Sequence, residues 1–245
     1  MNSFTYNGIN SYDMGMRIES KDIFSSPAYD MELKAIPGRD GDLIVPNYRY
    51  PNINVSYNVF VPSKSIAELN DKIRKIKQWL YKDVTSYHEL TDTYDTESYR
   101  RAVFASSLDI EEQLNKIGTF TVRFSCYPYK FLNSGKDAVT LSSGGGNESL
   151  VNPTAFSSKP LIRINGNGDG TLMIVNDEGI FTVRISDINS YLYCDSELMN
   201  FYKGSISAND KVTASKFPVL APGENHIVFS GGITSLAITP RWVTL

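Results

Sequence analysis

Hydrophobic and polar positions alternate along most of this chain. In INVSYNVFV, Ile53, Val55, Tyr57, Val59 and Val61 fall at every second place, the period of a half-buried strand. GTFTVRFSCYPYKF repeats the pattern with Phe120, Val122, Phe124 and Cys126. Gly118 supplies a turn before that run, and Pro128 is expected to end its pairing or to lie on an edge. Near the start, Phe4 and Tyr6 alternate ahead of Asn7-Gly8, a pair that tolerates the positive φ of a tight hairpin.

One segment breaks the period of two. In SIAELNDKIRKIKQWLY, Ile66, Leu69, Ile73, Ile76 and Leu80 advance by steps of three and four, which predicts a helix over about 65–81 with one apolar face. Ser65 and Glu68 have capping-box spacing. Lys72, Arg74, Lys75 and Lys77 make the opposite side basic, the usual mark of a solvated face. After it, NSGKDAVTLSSGGGNESLVNP at 133–153 has few packing residues, so a flexible linker or long loop is expected around Gly144–Gly146. The strand signals then resume in PLIRINGNGDGTLMIV, read as two apolar runs around a Gly/Asn turn, and continue in GIFTVRI and GGITSLAITPRW. The pattern predicts a mainly β protein, with its only helix in the first half and an all-β second half.

The length, 245 residues, suits one large β domain or two smaller ones. Split at residue 132, the first part has 16 basic and 17 acidic residues and the second 8 and 10, for net charges of −1 and −2. Neither half has the basic excess of a nucleic-acid-binding domain. MNSFTYNGINSYDMG lacks the basic and apolar regions of a secretory signal, and no apolar run approaches the roughly 18 residues of a membrane span. Cys126 and Cys194 lie far apart in strand-like contexts, so buried thiols in a protein assembled in a reducing cytoplasm are expected rather than a disulfide framework.

Candidate chemistry is sparse. GNGDG at 166–170 has no third glycine at the step a dinucleotide loop requires, where Thr171 stands, and no following helix. Asn165, Asn167, Asp169 and Gly170 imitate half a calcium loop, but Asn176 stands where the bidentate glutamate belongs. His88 and His226 have no partner at zinc-ligand spacing. Asp92, Asp95 and Glu97 could supply the carboxylate pair of a glycosidase, or simply a polar turn. No Gly-x-Ser-x-Gly elbow occurs. The residues offer no catalytic constellation, and no cofactor or metal is expected. The 27 Tyr and Phe residues suit strand cores, interface anchors or a sugar groove.

IPGRDGDL at 36–43 concentrates two glycines, an arginine and two carboxylates. Pro37 fixes φ near about −65° and Gly38 supplies the positive φ of a type II turn, while Gly41 allows a second bend. A phosphate site would want a helix next, and LIVPNYRY is strand-like. Arg39 and Asp40 are therefore expected to point outward from a strand corner.

In order and spacing, FTYNGINSYDMGM, IPGRDGDL, LYKDVTSYHELTDTYDTESYRRAVF, FTVRFSCYPYKF, NPTAFSSKPLIRINGNGDGTLMI, DSELMNFYKG and FSGGITSLAITPRW resemble the distal tail proteins of long-tailed siphophages that infect Gram-positive bacteria. The resemblance covers nearly the whole chain. It implies an N-terminal β-sandwich with one helix and a hairpin, a linker at 133–152, and a galectin-like C-terminal β-sandwich at 153–245. Residues 1–132 would form the ring domain.

It also implies a structural role at the virion tail tip, after assembly in the bacterial host cytoplasm. Six copies would form a ring joining the tail tube protein to the tail-associated lysin and to receptor-binding or baseplate proteins. The genome DNA would pass through without being gripped, and no membrane contact is implied. The length leaves no room for a large sugar-binding insertion. Arg39 and Asp40 become candidate subunit contacts. The competing reading is a carbohydrate-binding module or an accessory β-sandwich of a glycosidase, expected to be monomeric and to bind sugar saturably.

Overall fold

The computed structural model describes residues 2–113, 116–142 and 148–245; the expected break at Gly144–Gly146 lies outside the described residues. The chain forms two compact units, Met1–Lys130 with Leu245, and Phe131–Thr244.

Unit one holds β1 (Phe4–Tyr6), β2 (Ile9–Asn10), β3 (Arg17–Asp22), β4 (Met31–Lys34), β5 (Leu43–Pro46), β6 (Ile53–Pro62), α1 (Ile66–Leu80), β7 (His88–Asp92), β8 (Asp95–Phe104), β9 (Glu111–Gln113) and most of β10 (Ile117–Leu132). Its main sheet runs β2-β1-β7-β8-β10-β6-β3. The alternation in β6 and β10 works as the sequence suggests. Ile53, Val55, Tyr57, Val59 and Val61 are buried, as are Phe120, Val122, Phe124 and Cys126. Pairing of β10 with β6 stops at Cys126, two residues before Pro128, although β10 itself runs on to Leu132. Asn7 and Gly8 take φ of 49° and 75° in the hairpin between β1 and β2. The core is aromatic, with the Phe4 and Tyr57 rings 4.4 Å apart and those of Tyr6 and Phe124 at 4.7 Å.

Ser65 caps α1 by accepting from the Glu68 amide, and Glu68 in turn accepts from the amide of Lys64 rather than that of Ser65. Leu69, Ile76 and Leu80 are buried and Ile73 packs at their edge. Ile66, expected on the same face, is exposed in the first turn. The other end of the helix compensates with Trp79, which is buried and donates its indole N–H to the Tyr6 carbonyl at 3.0 Å.

Unit two holds β11 (Val139–Leu141), β12 (Glu148–Asn152), β13 (Leu161–Asn176), β14 (Gly179–Asp195), β15 (Asn200–Lys203), β16 (Ile206–Ser207), β17 (Val212–Ala214), β18 (Gly223–Thr239) and β19 (Val243–Thr244). Strands β11 and β12 lie in the stretch expected as a linker, and both pair with β18. Their short apolar content among serines and glycines hid them. The backbone pairing, which composition does not report, holds them in place.

The Gly/Asn turn expected inside PLIRINGNGDGTLMIV is not a hairpin. β13 passes straight through it, and the turn falls later, between Asn176 and Gly179. Register shifts near residues 165–170 bend β13 instead. Ile162 and Ile164 before the bend share one core with Leu172 and Ile174 after it, so the long strands fold the sheet over itself. The glycines make the bend sterically possible. A Cβ on Gly166 would lie 2.0 Å from the Gly232 carbonyl oxygen, and one on Gly232 would lie 1.9 Å from that of Asn167.

Candidate functional site

Strands β4 and β5 pair with each other and with no other strand among those described. Their register, Met31 with Pro46 through Lys34 with Leu43, builds a hairpin arm whose tip is the IPGRDGDL stretch. The Arg39 amide donates to the Ile36 carbonyl at 3.1 Å with Gly38 at φ 81°, the type II turn that Pro37-Gly38 encodes. Gly41, at φ 76°, makes the second bend. Arg39 and Asp40 are exposed and form no side-chain hydrogen bond or ion pair among the described residues.

The root of the arm is clamped. The Asp30 amide donates to the Arg49 carbonyl and the Asn47 amide to the Asp30 carbonyl. The Asp30 carboxylate accepts from Asn47 Nδ2 at 2.9 Å and Arg49 Nε at 2.6 Å, and these two bonds hold its pKa below the ordinary range. Next to the root, Tyr50 meets Tyr29 on one side and Tyr129 on the other, both edge to face.

Beyond the root the arm buries little. Met31, Leu33, Ile36, Leu43 and Ile44 are 39–60% exposed. A two-stranded hairpin is marginal in water on its own, and a cluster of exposed apolar side chains marks a contact surface. The sequence pointed to the corner but not to these flanks. The available signal was Met31 and Leu33 on one side of a turn motif and Leu43 and Val45 on the other, both at period two.

The remaining candidates are structural. Asp92 and Asp95 face each other in the β7–β8 hairpin, but each is committed to a lysine, Lys21 at 2.7 Å and Lys130 at 2.9 Å. The cavity beside them, about 30 Å³, is far below the roughly 300–1,000 Å³ of a ligand pocket, so no sugar ring reaches this pair. Asn165, Asn167 and Asp169 bond separately to Ser235 Oγ and to the Ser190 and Asp187 amides, and no metal-type cluster occurs among the described residues. His88 hydrogen-bonds the Asp83 carbonyl and His226 lies beside Glu224. The two thiols are free and buried, and desolvation pushes each up to about 12.

On the basic side of α1, Lys72 pairs with Glu68 at 2.8 Å and Arg74 with Asp71 at 3.3 Å, which dilutes its field. Among the described residues no helix is long and apolar enough to cross a membrane.

In unit two, Asp195 is the most committed carboxylate. It accepts both terminal nitrogens of Arg241, at 2.8 and 3.0 Å, and the amides of Glu197 and Leu198. Burial alone would raise its pKa; these bonds outweigh it and leave the carboxyl below the usual range. The turn it holds presents Leu198 and Met199 to solvent, with Met199 at φ 49°. Nothing in DSELMN singled out this partner, because Arg241 lies 46 residues away.

Comparison with solved structures gives the same architecture. The Dit (gp 19.1) protein of phage SPP1, described as a paradigm of the hub adsorption apparatus in phages infecting Gram-positive bacteria, matches with a TM-score of 0.76 and 13% identity over 100% of both chains. A chain of the phage p2 baseplate in its strontium-activated conformation matches at 0.52 with 6% identity, covering 97% of this chain and 98% of that one. The calcium-activated form of that baseplate matches at 0.50 with 7% identity and 97% coverage of each. These likenesses show a shared fold. No curated protein sequence matches the chain at a significant level. The model of the phage tail protein RIFT-related domain matches residues 4–126, about half of the chain and nearly all of unit one. The main sheet of unit one with α1 packed on it is thus a known tail-protein module, and the chain belongs to the phage tail protein family defined by that domain.

Proposed function

We propose that the chain is the hub subunit of a siphophage distal tail, that six copies close into a ring, and that the arm β4–β5 seats each copy on the next. In this reading unit one forms the ring and unit two, which includes β11 and β12, is the second domain. The ring joins the tail tube to the tail-associated lysin and the receptor-binding proteins. The observation that carries it is the exposed apolar arm, whose flanks bury almost nothing within their own chain. Because arm and body are different surfaces, an arm-on-neighbour contact is heterologous, and heterologous contacts that close give rings. The exposed Leu198–Met199 turn supplies a second contact surface suited to a hub. Six copies carry a formal charge of six times −3, or −18, which favours a passage that does not hold the phosphate backbone.

The arm variant tests this. Leu33→Asp with Ile44→Asp changes only exposed positions, so each unit should stay folded by circular dichroism while light scattering reports loss of the assembly. Arg39→Ala should weaken assembly less and reduce its salt dependence. An assembly as stable in the double variant as in the wild type would remove the arm from the contact.

A further inference from the structure

The GNGDG stretch does more than bend β13. Asn167 Oδ1 accepts from the Ser190 amide at 3.2 Å, and Asp169 Oδ1 accepts from the Asp187 amide at 3.0 Å. Ser190 and Asp187 take φ of 67° and 51°, a left-handed region that strains a residue with a Cβ. Two strained positions three residues apart are thus held by side chains from the neighbouring strand, and β14 bows between them. A cavity of about 470 Å³ lies between this bow and the β15–β16 hairpin. That volume is in the range of small-ligand pockets and more than ten times that of the cavity beside Asp92.

The lining divides by chemistry. Ile188, Leu192 and Ala208 are buried and give the cavity an apolar floor. Its rim offers Asn189, Ser205 and Ser207, with amide and hydroxyl donors and acceptors. Asp187 and Lys211 neutralise each other at 2.8 Å. Lys203 has no carboxylate partner among the described residues; its ammonium donates to the Asn189 carbonyl at 2.6 Å and lies 5.1 Å from the centre of the Tyr191 ring. The Arg163 guanidinium also sits over that ring, at 4.6 Å, but lies outside the cavity lining, where Lys203 is the one cation left without a carboxylate among the described residues. The site therefore combines an apolar floor, a polar rim and a net positive charge.

We propose that this cavity binds a pyranose unit carrying a negative charge. The floor takes the C–H face of the ring, the serines and Asn189 take its hydroxyls, and Lys203 takes the anionic substituent. A neutral sugar would leave Lys203 uncompensated, and a bare anion would leave the floor and the serines unused. The proposal does not depend on ring assembly, because every group named lies in unit two.

The test is titration of the full-length chain with glucuronic acid, glucose and glycerol 3-phosphate, read by saturation-transfer NMR and calorimetry. Glucuronic acid should bind saturably, at least about tenfold more tightly than glucose or glycerol 3-phosphate. Lys203→Ala and Tyr191→Ala should each weaken it by at least about tenfold, while Lys216→Ala, outside the cavity, should leave it unchanged. Circular dichroism checks that the variants are folded, and light scattering on the same samples reads assembly separately.

Three results would overturn the proposal. One is no saturable binding where a Kd of about 1 mM would show it. Another is equal binding of glucose, which would make the charge irrelevant. The third is equal binding of glycerol 3-phosphate, which would reduce the cavity to an anion site.

Discussion

Asp195→Ala should lower stability by about 3 kcal/mol, the lower end of the cost of breaking a buried ion pair, because Glu197 stays beside Arg241. The carboxylate is almost fully buried and holds both arms of Arg241, so its loss leaves the guanidinium with Glu197 alone, at 3.3 Å, and frees two turn amides together. Arg241 itself sits at φ 56°, a conformation the ion pair helps to maintain. The pH dependence separates this account from simple loss of packing. Because the folded-state pKa of Asp195 is depressed, its contribution is fully present above the unfolded value of about 3.9 and is lost as pH falls through the folded one. The wild type should therefore begin to lose this increment below about pH 4, and the gap between the two stability curves should narrow as pH falls further. Parallel curves from pH 7 to pH 3, measured by urea denaturation, would show that the pair contributes nothing specific.

Gly232→Ala should cost about 3 kcal/mol, the upper part of the range for overpacking. The added methyl would meet the Asn167 carbonyl at 1.9 Å, and a backbone oxygen cannot turn aside as a side chain can. Gly168→Ala provides the comparison within the same bend. Gly168 has positive φ but nothing within 4 Å of its would-be Cβ, so only conformational strain applies, about 1–2 kcal/mol. Equal unfolding midpoints for the two variants would mean that the strands do not approach as closely as described.

Those glycines show where sequence reading stops. Period two located β6 and β10 and their buried faces, because alternation is a local consequence of the pleat. The type II turn at Pro37-Gly38 was legible for the same reason, since both residues act on their own φ. GNGDG reads locally as a turn, whereas its glycines serve a contact with residues 231–232, more than sixty positions away. Strands β11 and β12 were missed because partners on β18 define them, not their own side chains. Trp79 was passed over in favour of Ile66 because a 3.6-residue period does not say which end of a helix rests on the sheet. At the arm, the tip was visible and the apolar flanks were not. Alternation in a strand implies one buried face, and here neither face is covered by its own chain.

The central claim is that copies of this chain close into a ring of six, and native mass spectrometry of the intact protein tests it most directly. The account predicts a dominant species at six times the 27.4 kDa chain mass, lost in the Leu33→Asp, Ile44→Asp variant. A spectrum that stays monomeric across the accessible concentration range, or an open ladder of sizes with no preferred closure, would contradict it.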